Sequence, residues 1–332
     1  MSNGNLVPVT NLGYACINET LKAKGIFTGR TARKATITKP DGSIDLDKIS
    51  RLALLNCKDL ARIMNWNAKN NIKLYRISSD LIPWMTEFVI EDLPDYEDIR
   101  NSLQEVGTIA DNHNIRLTTH PGPFHCLASP NPVVVDNTII SLEKHAEIFD
   151  LIGLEHSPYN AINIHVGGAY NDKKATAKRF TQNFDRLSIR VSSRLTVEND
   201  DKLGLYSVKE LYELIYLGNT SLNIPIVLDI HHHQLHPDNT TLLDAFHIAK
   251  STWPYLTTPL IHYSESKRYE LTLKHQYLKE DVPDDVVKIP LTAHSNYIRN
   301  IIPPLECKVD CMVEAKQKEL AVLKYRDIYL NK

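Results

Sequence analysis

The stretch IPIVLDIHHHQLHP (224–237) runs five apolar residues in six into Asp229 and then into three consecutive histidines. A short apolar run of that kind reads as a buried strand, so a carboxylate and imidazoles at its end need a reason. The same ending recurs along the chain. Apolar runs finish in or beside His120, His165, Glu198, Asp229 with His232, His262 and Glu314. A lone buried histidine is ordinarily a hydrogen-bonded core residue, and Glu314 alone would be an ordinary salt-bridge partner. Six such endings in succession are a set, because unpaired buried carboxylates and imidazoles would together cost several kcal/mol. Divalent cations would compensate them and explain why they share one end of their strands. The donors are nitrogen and oxygen without thiolate, which suits zinc, manganese or iron and disfavours a purely structural zinc. Seven or more donors are too many for one ion. Two or three ions about 4 Å apart, bridged by carboxylates, suit phosphoryl-oxygen chemistry. Glu198 is central in order among these strands and is the candidate bridge, with Glu314 and His262 as further catalytic candidates. In DIHHHQ, Asp229 and His232 stand three apart, and His231 is the competing donor.

These residues meet only if their strands do. Strand-like runs at 11–17, 72–78, 115–120, 161–168, 194–200, 224–230, 258–264 and 310–316 alternate with helical stretches. The helices are expected at 49–71, 94–113, 139–152, 175–190, 207–218 and 241–251, with a last one running to about 327. Eight strand–helix units in order predict a parallel sheet. At this length they predict an α/β fold closed as a TIM (β/α)8 barrel. A doubly wound sheet would be supported by a G-x-G-x-x-G after the first strand, and there is none. Residues 19–47 and 265–309 are too long for plain connections. Both would fall on the C-terminal face, where such barrels keep their chemistry. The first two strand ends offer Tyr14, Asn18 and Asp80 instead of the recurring donors.

The 332 residues are 42% hydrophobic and 23% charged, an ordinary globular composition. One domain over 1–332, with its core at about 11–328, is expected. No apolar run reaches the about 18 residues of a membrane span, and the N-terminal residues lack a signal-peptide layout. Five scattered cysteines complete no zinc site and fit thiols in a reducing, intracellular compartment. A net charge of −2 gives no global signal for nucleic acid. Local charge does: residues 20–40 hold Lys22, Lys24, Arg30, Arg33, Lys34 and Lys39 without an acidic residue. Backbone phosphates require such a patch, and Arg30, Arg33 and Lys34 are its candidates, the plain alternative being a solvated loop. A second basic stretch, NDKKATAKRF, covers 171–180.

The segments LGYACIN (12–18), YRISSDLIPW (75–84), THPG (119–122), HVGGAY (165–170), VEND (197–200), LDIHHH (228–233), IHYS (261–264), AHSNYI (293–298) and MVEAK (312–316) together resemble the UV damage endonuclease family, in order from about residue 11 to 318. That family has a TIM barrel related to endonuclease IV. It uses a divalent-metal cluster, often manganese, to nick damaged double-stranded DNA 5′ of ultraviolet photoproducts and some other lesions. The resemblance implies metal-ligand roles for His120, His165, Glu198, Asp229, His232, His262, His294 and Glu314, and it ranks His232 ahead of His231. His294 comes from the resemblance alone, since it lies inside the 265–309 insertion. Tyr14 and Asn18 match family positions near the lesion, and Gly167 and Gly168 could let the backbone approach a phosphate. Manganese is the first expectation, with zinc, magnesium or cobalt as alternatives. No organic cofactor and no membrane are expected, and a monomer is. Two positions depart from the family pattern. Where it commonly has a polar residue in H-P-G-Q-[YF], this chain has Pro123 before Phe124, and where some members carry a lysine two residues before the seventh-strand histidine it has Leu260. Both bear on lesion range. The competing readings are an endonuclease IV-like abasic-site nuclease and a metal-dependent sugar isomerase.

Overall fold

The computed structural model describes residues 6–218 and 222–331. Residues 1–5, 219–221 and 332, which fall within the expected span 1–332, lie outside the described residues. Eight parallel strands close into a barrel in chain order. They are β1 (Asn11–Ala15), β2 (Leu74–Ile77), β3 (Arg116–Thr119), β4 (Ile162–Ile164), β5 (Leu195–Glu198), β6 (Ile226–Asp229), β7 (Leu260–Tyr263) and β8 (Asp310–Val313). Closure comes from β1 against β8, with Gly13 paired to Met312 and Tyr14 to Val313. Gly13 is required here, because a Cβ would sit 2.3 Å from the Leu74 carbonyl oxygen on β2.

Side chains fill the barrel, as expected for eight strands. Ala15, Leu74, Ala161, Val227, Leu260 and Met312 form an inner cluster, each at most 1% exposed. The N-terminal end is closed by charge. The Arg116 guanidinium is fully buried, donates to Asp310 Oδ2 at 2.8 Å, and also bonds the carbonyls of Tyr159 and Thr258. With that end sealed, the chemistry-bearing side chains emerge at the other.

The strands are shorter than their sequence runs. β4 stops at Ile164, so the residues from His165 to Gly168 are loop. The helix expected from 139 begins at Pro132, where the Asn131 side chain caps the Val133 N–H and proline suits the first turn. A helix at Ile230–Leu235 was not expected from the sequence. It forms because Asp229 serves as its N-cap, accepting from the His232 N–H at 2.8 Å. The 265–309 insertion contains the helices Lys267–Leu278 and Asp284–Val287. Around the barrel, Leu46–Lys69 and Tyr96–His113 are the long outer helices after β1 and β2.

Candidate metal centre and its rim

The strand-end donors converge on Glu198. This last residue of β5 is 1% exposed. Its Oε2 accepts from Asn163 Nδ2 at 2.5 Å and lies 3.1 Å from His120 Nε2 and 4.0 Å from His165 Nε2. Its Oε1 lies 3.0 Å from His262 Nδ1 and 3.6 Å from His232 Nδ1. Two groups have donor atoms within 4.8 Å of one another, His120–His165–Glu198 and Glu198–Asp229–His232, and Glu198 is their shared member. On the other side Glu314, one residue beyond β8, stands 3.5 Å from His262 Nδ1 and 3.8 Å from His294 Nδ1. The eight expected ligands are therefore gathered at one mouth.

The arrangement fits divalent cations. Asp229 is fully buried, with one oxygen on the helix cap and the other, Oδ2, without a hydrogen-bond partner. His262 Nδ1 is also sealed from solvent, close to two carboxylates but not aligned for a hydrogen bond with either. Such orphaned buried atoms are costly. The outer contacts are those of metal-binding imidazoles. His120 Nδ1 is 3.1 Å from the Pro121 carbonyl, and its Nε2 faces Glu198. His165 Nδ1 lies 3.1 Å from Asp200 Oδ1, and its Nε2 faces Glu198. His232 Nδ1 is 2.9 Å from the Asn199 carbonyl. Asn199 also brackets the backbone of Asp229, donating to its carbonyl and accepting from its N–H.

Charge follows the geometry. Burial alone would raise the Glu198 carboxyl, but His262 and His165 outweigh it and hold it well below the usual range. Burial would lower His165, but Glu198 and Asp200 push it up to about 9. Glu314 is likewise held low despite burial, chiefly by Arg76 and His262. Arg76, on β2, is the residue that strand-end reasoning missed. Its Nη1 donates to Glu314 Oε1 at 2.5 Å, with 14% and 13% of the two side chains exposed. The available signal was an arginine inside the strand-like run IKLYRIS.

Several rim expectations need correction. Tyr14 cannot reach a lesion, because it is fully buried and its hydroxyl donates to Asn67 Oδ1 at 2.7 Å while accepting from Asn18. Asn18 is equally buried, and its Oδ1 caps the Leu21 N–H of helix Glu19–Lys22. Arg30 is not a free cation: it pairs with buried Asp59 at 2.6 Å and bonds the Gly25 and Phe27 carbonyls. Gly167 has φ +95, and a Cβ there would lie 2.5 Å from Cys126 Sγ, while Gly168 packs on the Tyr170 ring. Local packing thus accounts for Gly167 without a phosphate, whereas a Cβ at Gly168 would meet the Tyr170 ring only at ordinary contact distance. Arg33 is exposed, and Lys34, 59% exposed, sits 3.5 Å from Glu87 and over the Trp84 ring. Pro123 is exposed and Phe124 is 88% exposed, so the loop after His120 projects an aromatic ring into solvent. A cleft of about 830 Å³ beside it is lined by Trp84, Phe124, His125 and His145, among others. Leu260 is buried in the barrel's inner cluster. His231 Nε2 reaches the Leu291 carbonyl at 3.1 Å, so it secures the insertion that carries His294.

Residues 10–331 match the family described as UV-endonuclease UvdE. The chain belongs to that family. Within it, the chain is 35% identical over 320 residues to the UV-damage endonuclease of Schizosaccharomyces pombe, covering 94% of this chain and 49% of the relative. It is 30% identical over 284 residues to a UV DNA damage endonuclease of Bacillus cereus strain G9842, covering 85% and 83%. The chain spans about half the length of the two fungal relatives, from S. pombe and Neurospora crassa. Among solved structures, the crystal structure of SacUVDE superposes with a TM-score of 0.76 at 27% identity, over 96% of this chain and 97% of the other. Endonuclease IV from Thermus thermophilus shares the barrel fold, with a TM-score of 0.53 at 12% identity.

Proposed function

We propose that the protein nicks double-stranded DNA 5′ of ultraviolet photoproducts, cyclobutane dimers and (6-4) photoproducts among them. The observation that carries this is the convergence of strand-end donors on the shared carboxylate Glu198, in a chain of the UV-endonuclease family. The names of its relatives point the same way. His120, His165, Glu198, Asp229, His232, His262, His294 and Glu314 would hold two or three divalent cations, with manganese preferred over zinc, magnesium or cobalt. Such cations, when bound, neutralise phosphate charge, acidify water and stabilise the leaving 3′ oxygen.

The chain's own residues do the rest. Asn163 fixes one Glu198 oxygen and thereby the orientation of the carboxylate between the two donor groups. The Pro121 and Asn199 carbonyls and the Asp200 carboxylate set the imidazole rings of His120, His232 and His165. Arg76 holds Glu314 ionised and in place. Phe124, 88% exposed, would enter the gap that a lesion with weakened stacking leaves in the duplex. Pro123 offers no side-chain hydrogen bond there, so recognition leans on duplex distortion. Arg33 and Lys34 remain the candidates for backbone phosphates, without Arg30.

We further read the chain as one barrel domain over 1–332, an intracellular monomer that needs no organic cofactor and no membrane. No helix among the described residues is long and apolar enough to cross a membrane. Supercoiled plasmid tests the activity. Nicking of ultraviolet-irradiated plasmid with Mn²⁺, and not of untreated plasmid, is expected. Nicking of depurinated plasmid alone would favour the abasic-site reading.

A further inference from the structure

The loop that carries Phe124 has a fixed base and an exposed tip. Residues Gly122–His125 form a four-residue turn, closed by the His125 N–H on the Gly122 carbonyl at 3.2 Å. Pro123 is the second residue of that turn, where its fixed φ of about −65° is the value that type I and type II turns need. Phe124 is the third, at the tip. The His125 ring adds two contacts of its own. Its Nδ1 stands 2.7 Å from the same Gly122 carbonyl, and its Nε2 stands 2.6 Å from Ser141 Oγ on helix Pro132–Ile152. A carbonyl only accepts, so in the neutral ring Nδ1 carries the proton and Nε2 accepts from the Ser141 hydroxyl. Burial lowers the His125 imidazole from its ordinary value, which favours that neutral ring. His145 meets the ring edge to face, with centroids 6.0 Å apart, and is itself tied to the Ser141 carbonyl at 2.8 Å. One helical turn away, Thr138 Oγ1 takes the Cys126 N–H at 3.0 Å. Asn183 and Arg179, on helix Lys173–Phe184, hold the carbonyls of Leu127 and Ala128. Each residue from His125 to Ala128 is therefore pinned by a side chain of a neighbouring helix, and Phe124 stands exposed beside them.

We propose that His125 and Ser141 are positioning residues for Phe124: the imidazole, braced on the helix hydroxyl, fixes the Gly122–His125 turn and with it the direction in which the exposed ring meets damaged DNA. The inference rests on the function proposed above and names the groups that aim its wedge. Ser141 is buried, so its influence passes through His125. A ring held in its working direction loses less conformational freedom on insertion than one carried by a loose turn. The anchor therefore acts on binding of the lesion and leaves the metal donors untouched.

Ser141→Ala isolates the anchor, because alanine suits a helix interior and only the hydroxyl on His125 is lost. Hydrogen exchange reads the turn without DNA. In Ser141→Ala the His125 amide should exchange about two- to tenfold faster, the scale of one net hydrogen bond, with helix Tyr96–His113 unchanged. Single-turnover incision of a duplex with one (6-4) photoproduct, over a range of Mn²⁺-loaded protein, reads the consequence. The half-saturating protein concentration should rise by the same factor, with the maximal rate and the bound manganese unchanged. His125→Leu should reproduce or exceed that rise, and His125→Asn, whose amide can still donate to the Gly122 carbonyl, should recover part of the loss. In a Phe124→Ala background, Ser141→Ala should change incision no further. Unchanged exchange at His125 in Ser141→Ala, or an equal loss with and without Phe124, would overturn the positioning role. If wild type leaves the (6-4) duplex uncut, the functional reading falls, and the exchange measurement still decides whether Ser141 and His125 hold the turn.

Discussion

Replacing Arg76 with methionine tests whether Glu314 belongs to a cation site. The Arg76–Glu314 pair spans 2.5 Å and is largely buried, at 14% and 13% exposure. Removing one partner of a buried pair costs about 3–5 kcal/mol, because the other charge is left uncompensated. The residual exposure places this pair at the low end, about 3 kcal/mol, in metal-free protein. A divalent cation beside Glu314 supplies the missing positive charge. Wild type gains from the ligand too, by about 2.7 kcal/mol at a hundredfold over its Kd, so the loss relative to wild type shrinks by as much as Mn²⁺ binds the variant more tightly once no guanidinium repels it. The double variant Arg76→Met/Glu314→Met removes both charges and should sit near wild type without metal. Urea unfolding of wild type, Arg76→Met and the double variant, with EDTA and with Mn²⁺, reads all of this. Equal destabilisation of Arg76→Met in both conditions, or a double variant as unstable as the single, would refute the reasoning.

Glu198→Gln should abolish incision while the protein still melts cooperatively, since Glu198 is the member common to both donor groups; near-normal incision by the purified variant contradicts the shared site. Tyr14→Phe should cost about 1–3 kcal/mol for buried amide groups left unpaired without altering lesion preference, measured by urea unfolding and by rates on two defined lesions. His145 is held neutral by burial at about 4, with His125 adding to the effect and the Ser141 carbonyl opposing it. Its contribution is therefore complete above about pH 6.5 and is lost as pH falls towards its folded value, a change of about 3 kcal/mol at 1.36 kcal/mol per unit. His145→Gln should flatten stability against pH in that window, and an unchanged slope excludes His145 as its source. Pro123→Gln adds a hydrogen-bonding group worth roughly 0.5–1.5 kcal/mol. Wild type should cut a (6-4) photoproduct faster than a cyclobutane dimer, and the variant should narrow that gap by at most about tenfold in single-turnover rates.

The barrel was legible in the sequence because its strands are short apolar runs, and most candidate ligands were legible because six of those runs stop at or beside a histidine or carboxylate. That pattern gives strand order and the face of the barrel at once. What it cannot give is where a polar side chain finds its partner. Tyr14 and Asn18 sit at a strand end like the ligands, yet Asn67 on a distant helix draws the Tyr14 hydroxyl into the wall. Arg30 reads as a basic-loop residue until Asp59, on the same helix, takes its charge. His294 carries no periodic signal, because its place depends on tertiary staples of the insertion. Glu265 accepts the N–H groups of Arg299 and Asn300, and Glu270 that of Asn296. Arg76 carries no donor signal in the sequence, because a guanidinium does not bind cations, although it holds the candidate ligand Glu314.

If the proposed function holds, this donor cluster directs a cut to the 5′ side of a photoproduct. A duplex carrying one (6-4) photoproduct at a defined position, labelled at its 5′ end and incubated with Mn²⁺-loaded protein, tests it in a single gel. One product is expected, ending in a 3′-hydroxyl immediately 5′ of the lesion, absent from undamaged duplex and from the Glu198→Gln reaction. Cleavage at an abasic site but not at the photoproduct, or cleavage that survives Glu198→Gln, would contradict it.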